Sequence, residues 1–277
     1  MKIYRYRGIK IFLLLVVVVG LLLADSSVRI VTTEYEFSYA ELPAEFDGFR
    51  ILQLSDLHGE VFGRKNARLL RKAAAAQPDL IALTGDLADR DTDMAAIDAL
   101  LAGLTEIAPV YYVSGNHEWS ERLLDVLHVL FKKYGVTYLR NEYVTLERRG
   151  AEILLAGVED PNGLKDQPKP DEVIAGLREE HPEEFTVLLG HRNDWAEKYP
   201  ALPVQLVFCG HAHGGIVRLP GIGGLLGTGG TFFPDYTSGV YDVGTYRLVI
   251  SRGIGGSIAV PRFLNNPELV SVTLLTA

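Results

Sequence analysis

Five short motifs in this chain combine carboxylate, amide and imidazole side chains that suit a pair of metal ions. They are D-L-H at 56–58, G-D at 85–86, G-N-H-E at 115–118, a single histidine at 191 and G-H-A-H at 210–213. Oxygen and imidazole ligands without thiolate fit Mn²⁺, Fe or Zn²⁺. Two such ions, about 3.5–4 Å apart, can activate water and neutralise a phosphoryl group. The residues predicted to meet are Asp56, His58, Asp86, Asn116, His117, His191, His211 and His213.

Each motif ends an apolar segment that has the length and composition of a buried strand. These segments are Arg50–Asp56, Leu80–Asp86, Val110–His117, Thr186–His191 and Leu206–His213. Runs rich in Val, Ile and Leu are typical of strands covered on both faces. Ligands of such sheets bind outside the carboxyl ends of the strands. Five of the seven histidines lie at these ends, so we expect the eight side chains to converge on one rim.

The order and spacing of the five motifs resemble those of the calcineurin-like metallophosphoesterases. The resemblance covers residues 48–277 and is closest to small bacterial members with an N-terminal membrane segment. One motif alone is not specific, whereas all five in order are. Two differences stand out. Ala212 is the spacer where relatives often have Thr, and Arg192-Asn193-Asp194 follows His191 where many relatives have a Pro-containing segment, which leaves the shape of that loop open.

The resemblance also implies a role for each candidate residue. One divalent ion would take Asp56, His58, Asp86 and His213, and the other would take Asp86, Asn116, His191 and His211. Asp86 would bridge the two ions, whereas His117 would bind none and would protonate the leaving oxygen or stabilise the transition state. The implied activity is a dinuclear metal-dependent phosphoesterase that hydrolyses phosphodiester or pyrophosphate bonds by attack of a metal-bridging hydroxide. Mn, Fe and Zn all remain candidate metals.

The substrate follows from the resemblance only as a class. Some relatives cleave the pyrophosphate of UDP-diacylglucosamine, and others act on cell-wall or lipid phosphodiesters, which implies a lipid- or envelope-linked substrate. The alternatives are a non-catalytic binding scaffold of the same fold and a nuclease of the same superfamily. The complete set of candidate ligands argues against a scaffold. A net charge of −8 argues against nucleic acid as a partner, because such binding needs a basic face. We expect a monomer.

The N-terminus combines basic and apolar residues in the order of a membrane-targeting segment. Lys2, Arg5, Arg7 and Lys10 precede an apolar run from Ile11 to Ala24. This run is shorter than the ~20 residues that cross a bilayer. We predict an uncleaved membrane anchor over residues 1–27 and a catalytic domain over 28–277. The basic residues would stay cytoplasmic, which places the catalytic domain outside the cytoplasm; a removed secretion signal is the alternative.

Alternating helical and strand patterns predict an α/β fold, a four-layer α-β-β-α sandwich of two mixed sheets with outer helices. The early elements are a strand at Val28–Tyr39 and helices at Asn66–Ala76, Thr92–Leu104 and Ser120–Tyr134, the last with Ser120 as N-cap. Strands at Val144–Arg148 and Glu152–Val158 form a hairpin, and a helix follows at Asp171–His181. The C-terminal strands are Gly239–Asp242, Tyr246–Ser251 and Leu269–Thr276.

Four further features are open to more than one interpretation. Cys209, the only cysteine, excludes an intramolecular disulfide and is expected in the core. Glu118 could orient a ligand or favour a helix N-terminus. Arg252 could approach phosphate or lie in a Gly-rich exit from a strand. In the 221–236 loop, Leu225-Leu226 and Phe232-Phe233 could line a lipid-binding groove, although filling of the sheet edge is the favoured interpretation.

Overall fold

The computed structural model describes residues 2–256 and 260–277, and side chains from residue 8 onward. Its helices are α1 Lys2–Val28, α2 Ala67–Ala75, α3 Met94–Thr105, α4 Asn116–Ser120, α5 Leu124–Tyr134, α6 Pro170–Glu180 and α7 Trp195–Lys198. Its strands are β1 Val31–Tyr39, β2 Phe49–Leu54, β3 Leu80–Thr84, β4 Val110–Val113, β5 Thr137–Tyr138, β6 Glu142–Arg148, β7 Ala151–Gly157, β8 Thr186–Leu189, β9 Leu206–Cys209, β10 Arg218–Leu219, β11 Gly223–Gly224, β12 Gly239–Val243, β13 Tyr246–Ile250 and β14 Glu268–Thr276.

Two six-stranded sheets, each mixing parallel and antiparallel pairs, organise the chain. The first has the order β1-β14-β2-β3-β4-β5, and only the β14–β2 pair in it is antiparallel. The second has the order β12-β13-β9-β8-β7-β6, with antiparallel pairs at its two edges. In the first sheet β2, β3, β4 and β5 therefore direct their carboxyl ends to one edge, and β1 and β14 direct theirs to the opposite edge. In the second sheet β7, β8, β9 and β13 direct their carboxyl ends to one edge.

The buried apolar residues form three clusters, which correspond to the interfaces between four layers. The central cluster packs the two sheets together, with Ile51 of the first against the layer that includes Val187 of the second. A second cluster covers the outer face of the first sheet with α2, α3 and α5. The third covers the second sheet with α6 and α7, and it includes the buried Cys209. The predicted α-β-β-α sandwich of two mixed sheets is confirmed.

The central strands end close to the predicted site residues. β2, β3, β8 and β9 each end two residues before Asp56, Asp86, His191 and His211, and β4 ends three residues before Asn116. Every residue of β3, β8 and β9 is buried, as expected for strands covered on both faces. The fold thus brings the five motifs to neighbouring strand ends.

Helix α1 projects from the sandwich and meets it only at its last turns. Its stretch Gly8–Val28 has 21 residues. The most apolar 18 consecutive residues have a mean hydropathy of 2.6, and only 6% of them are buried. In the described part of the chain, this is the one helix that is long and apolar enough to cross a membrane. The side chains of Lys2, Arg5 and Arg7 lie outside the described residues.

Three predictions about local structure are wrong. Val28 ends α1, so the first strand begins at Val31. Ser120 is not an N-cap but the last residue of α4, which begins at Asn116 because Glu118 accepts from the amide of Gly115 at 2.8 Å. Helix α5 begins separately at Leu124. Phe232 and Phe233 do not fill the sheet edge, since they are 77% and 66% exposed.

Candidate metal centre

One group of candidate ligands consists of Asp56, His58 and His213. All three are buried, and each offers a ligand atom within 4.8 Å of the others. The Nε2 atoms of His58 and His213 lie 3.1 Å apart, and His213 Nε2 lies 3.4 Å from Asp56 Oδ1. Two imidazole nitrogens and a carboxylate oxygen therefore face one small volume.

A second group gathers around Asp86. Ligand atoms of Asp86, His191 and His211 lie within 4.8 Å of one another, and Asn116 Oδ1 lies 3.1 Å from His191 Nε2. The Asp86 Oδ2 atom is 3.2 Å from His191 Nε2 and 3.7 Å from His58 Nε2. Asp86 thus lies between the two groups, and the fold brings together all seven residues that were predicted from the motifs.

Hydrogen bonds fix the orientation of two imidazole rings. His58 Nδ1 lies 2.8 Å from Asp89 Oδ1, and His191 Nδ1 lies 2.8 Å from the carbonyl oxygen of Thr84. Because both acceptors lack a proton, each Nδ1 must be the donor, which leaves Nε2 of each ring facing the centre as the atom that can bind a metal. A ring held through one nitrogen while the other faces the site is the usual arrangement of histidine ligands.

The backbone at these residues is unusual. Asp56, His58, Asp86, His211 and His213 have positive φ angles between 47° and 66°, a region that non-glycine residues rarely adopt and that is concentrated at functional sites. The D-L-H and H-A-H segments are therefore not extended. Tight turns bring these side chains together instead, and a Cβ at Gly115 or Gly210 would collide with the carboxylates of Asp86 or Asp56.

Buried charge dominates the electrostatics of the centre. Burial raises the pKa of Asp56. Burial also opposes ionisation of Asp86, but the adjacent His191 outweighs it and holds the pKa of Asp86 well below its usual range. Burial disfavours the charged form of His191, whereas Asp86 at 3.2 Å raises its pKa to about 10. Two carboxylates are thus buried here with imidazoles as their closest ionisable neighbours.

The last motif contributes neutral imidazoles. Burial lowers the pKa of His211 to about 3, with His191 and Arg192 acting in the same direction. Burial and the nearby His58 hold the pKa of His213 well below its usual range. Metal ligands must be deprotonated, so both rings have the required protonation state near neutral pH.

These observations test whether divalent cations fit the centre. The donor set contains imidazole nitrogens, carboxylate oxygens and one amide oxygen, which suits Mn²⁺, Fe or Zn²⁺. The Nε2 atoms of His58 and His191 lie beside the buried carboxylate of Asp86, whose charge needs a counter-charge. The residues present therefore fit two divalent ions, one in each group.

His117 lies beside the two groups. Its Nδ1 is 2.7 Å from Asp89 Oδ1, its backbone amide donates to Asp86 Oδ1 at 2.9 Å, and its side chain is 27% exposed. The contact with Asp89 raises the pKa of His117 to about 9 against the opposing effect of burial. His117 therefore carries a proton at neutral pH at the open side of the centre.

Glu118 is fully buried and orders the loop that carries Asp86. Its carboxylate accepts hydrogen bonds from the backbone amides of Asp86 at 3.0 Å, Leu87 at 2.6 Å and Ala88 at 3.3 Å, in addition to that of Gly115. Glu118 thus has both of the roles considered from the sequence, since it also caps the start of α4.

Asp89, Arg192 and Arg262 were missed in the sequence. Asp89 follows Asp86 by three residues, a spacing that could have drawn attention to it. Arg192 makes a bidentate pair with the buried Asp160 at 2.6 and 3.1 Å, and its Nη1 lies 3.1 Å from His211 Nε2. Arg262 is 7% exposed, with Nη2 3.4 Å from His213 Nδ1, and no local pattern marks it.

Arg252 is not directed at the centre. Its guanidinium donates to Glu268 Oε1 at 2.8 Å, and its backbone amide donates to the other oxygen of the same carboxylate at 2.9 Å. Arg252 therefore joins the end of β13 to the start of β14, in agreement with the simpler interpretation of a strand exit.

Comparison with known proteins agrees with this geometry. The calcineurin-like phosphoesterase family matches residues 49–215. The chain is 32% identical over 249 residues to the uncharacterized metallophosphoesterase YkuE of Bacillus subtilis (strain 168), covering 88% of this chain and 85% of that protein. It is 28% identical over 239 residues to the phosphodiesterase YaeI of Escherichia coli (strain K12), covering 82% of each.

A solved structure shares the fold. The protein TT1561 of Thermus thermophilus superposes with a TM-score of 0.50 and 16% identity over 74% of this chain and 90% of that chain. The family match spans more than half of the chain and includes all seven candidate ligands. The chain therefore belongs to the calcineurin-like phosphoesterase family and is a phosphoric ester hydrolase.

Proposed function

We propose that this protein is a dinuclear metal-dependent phosphodiesterase. The observation that carries the proposal is the position of Asp86, whose Oδ2 atom faces His191 on one side and His58 on the other at 3.2 and 3.7 Å. A carboxylate in that position can hold two cations and reduce their mutual repulsion. Asp56, His58, Asp86 and His213 would hold one ion, and Asp86, Asn116, His191 and His211 would hold the other.

The bound ions would lower the pKa of a water molecule and neutralise charge on the phosphoryl oxygens. The remaining steps belong to side chains of the chain itself. His117 points Nδ1 at Asp89, so its Nε2–H is the bond that can deliver a proton to the leaving oxygen. Arg192, held by Asp160 beside His211, can pair with a phosphoryl oxygen through its guanidinium.

A diester or pyrophosphate is the proposed bond, and an envelope- or lipid-linked molecule such as UDP-diacylglucosamine is the proposed type of substrate. Similarity to the phosphodiesterase YaeI over 82% of this chain supports the first part. The apolar helix beside the catalytic domain supports the second, because a tethered enzyme meets membrane-embedded substrates at high local concentration.

We further propose that residues 1–27 anchor the protein in a membrane and that residues 28–277 form the catalytic domain. The length and composition of Gly8–Val28 support an anchor. The basic residues before the apolar run favour a cytoplasmic N-terminus, which places the catalytic domain outside the cytoplasm. Extraction of bacterial membranes with carbonate tests this, since an anchored chain stays in the pellet and a secreted one is released.

The test of the catalytic proposal uses the full chain in neutral detergent, with bis-p-nitrophenyl phosphate as substrate and elemental analysis of bound metal. We expect two divalent ions (Mn, Fe or Zn) per chain and hydrolysis by the native protein. Asp86→Ala should lose both activity and metal, whereas His117→Ala should keep the metal and lose about 10²–10⁴-fold in kcat. His128→Ala, which alters an exposed histidine of α5, is the matched control. Native turnover in both Asp86 and His117 variants would reject the proposal.

A further inference from the structure

A groove of about 830 Å³ lies between the last turn of α1 and helix α2. Its lining includes Asp25 and Arg29 from the end of α1 and Arg68, Arg71 and Lys72 from α2. Four of these side chains are basic and one is acidic. The local charge is therefore positive (four minus one), although the whole chain carries −8.

Two of the basic side chains that line the groove pair with neighbouring groups, and the other two are exposed to solvent. Arg29 pairs with Asp25 at 2.7 Å, and Arg68 Nη2 donates to the carbonyl oxygen of Val28 at 2.5 Å. Arg71 and Lys72 are exposed, and neither forms an ion pair with a described acidic residue. The groove thus offers a guanidinium and an ammonium to a ligand from solution or from a membrane surface.

The groove lies at the end of the one apolar helix, among the described residues, that could cross a membrane. Asn266 Nδ2 donates to the carbonyl oxygen of Asp25 at 2.8 Å, which fixes the last turns of α1 on the sandwich. In a membrane-anchored protein, the surface around Asp25 is the surface nearest to the lipid headgroups. The positive groove would then face them directly.

The same surface adjoins the candidate metal centre. Asn265, next to Asn266, donates to the carbonyl oxygen of His213 at 2.8 Å. The sheet register agrees, because Val31 at the start of β1 pairs with Glu268, and Val270 two residues later pairs with Gln53 near the end of β2. The end of α1 and the catalytic rim therefore lie at one edge of the first sheet.

We propose that this groove binds the phosphate headgroup of an anionic phospholipid and so holds the catalytic rim against the bilayer. Arg and Lys side chains provide charge-assisted hydrogen bonds to phosphate oxygens, and basic residues beside a membrane helix attract anionic lipids. The inference rests on the membrane placement of α1 proposed above, and it does not depend on the reaction that the metal centre catalyses.

The test measures which lipids remain on the full chain in neutral detergent after equal amounts of phosphatidylglycerol and phosphatidylcholine are added, with native mass spectrometry as the readout. We expect the native chain to retain phosphatidylglycerol preferentially. Changing both outward-facing residues, Arg71→Gln and Lys72→Gln, should weaken its retention about 10- to 30-fold. Lys132→Gln with Lys165→Gln removes two exposed charges elsewhere and should leave the preference unchanged.

Measurements of hydrolysis, of displacement by a soluble phosphoester and of DNA binding complete the test. Hydrolysis of bis-p-nitrophenyl phosphate in the same detergent should be equal in all three proteins, so that a failed lipid preference is not confused with failure of the catalytic proposal. Equal retention of the two lipids by the native chain would overturn the inference. Displacement of phosphatidylglycerol by millimolar glycerol phosphate would also overturn it, because the groove would then bind soluble phosphoesters. Binding of single-stranded DNA that is lost in the Arg71/Lys72 variant would assign the groove to nucleic acid instead.

Discussion

The carboxylate oxygen Oδ1 of Asp89 lies 2.7 Å from Nδ1 of His117. The same oxygen lies 2.8 Å from Nδ1 of His58, so one carboxylate oxygen contacts both the candidate acid and a candidate ligand. The two rings meet edge to face with their centroids 4.7 Å apart. Asp89 therefore links the position of the candidate proton donor His117 to that of the candidate ligand His58.

The first prediction concerns the charge of Asp89. The contact with Asp89 raises the pKa of His117, and a general acid is active below its pKa. Asp89→Asn removes the negative charge and lowers that pKa, so we expect the alkaline limb of the pH–rate profile to move to lower pH. The profile of kcat with bis-p-nitrophenyl phosphate measures the shift. Asp91→Asn, at an exposed position in the same loop, is the control, and an alkaline limb that stays in place would contradict the role of Asp89.

The second prediction concerns the buried carboxylate of Glu118. Glu118→Gln places an amide NH₂ group against backbone amides that now donate to the carboxylate, and buried donors without acceptors are costly. We expect a loss of about 2–4 kcal/mol in the free energy of unfolding. Urea unfolding of the full chain in detergent measures it. Glu179→Gln, exposed on α6, should change stability little. Equal stability of the two variants would contradict a stabilising role for the Glu118 carboxylate.

The central strands and their ends could be predicted because each is marked by residues that are neighbours in the sequence. Continuous apolar runs such as Leu80–Thr84 are compatible only with burial, and the polar residue that ends each run marks the edge of the sheet. That rule predicted that eight side chains converge, and the resemblance to the metallophosphoesterases separated the seven candidate ligands from His117. Cys209 could be placed in the core for the same reason.

What could not be predicted depends on contacts between distant parts of the chain or on backbone geometry. Arg262 contacts His213, which is 49 residues away in the sequence. Arg192 pairs with Asp160, which is 32 residues away. The left-handed backbone at Asp56 and Asp86 is a conformation that Asp adopts more often than most residues, but residue type alone does not determine where it occurs. Ser120 resembled an N-cap by its hydroxyl, but the buried Glu118 determined where the helix begins.

The third prediction assigns Arg192 to substrate binding. Its guanidinium is held next to His211 by Asp160, and a fixed cation there should pair with a phosphoryl oxygen. Arg192→Ala should raise KM for bis-p-nitrophenyl phosphate about tenfold or more, the scale of one lost charge-assisted hydrogen bond, while bound metal stays at the native level. Arg192→Lys should recover part of the loss. Lys198→Ala, on an exposed neighbouring cation, should have no effect, and an unchanged KM in Arg192→Ala would exclude the contact.

The fourth prediction concerns removal of the metal. Asp56 and Asp86 are 0% and 1% exposed, so without cations their charge is offset by nearby imidazoles and by the guanidinium of Arg262. A ligand that binds the folded state alone stabilises it by about 2.7 kcal/mol at a concentration 100-fold above its Kd. We therefore expect chelation by EDTA to lower the unfolding temperature of the full chain and to abolish hydrolysis, and added Mn²⁺ to restore both. Asp86→Ala should unfold at the same temperature with and without EDTA, because it lacks the shared ligand. If EDTA lowered the unfolding temperature of that variant as much as that of the native chain, the stabilising ions would lie elsewhere than at Asp86.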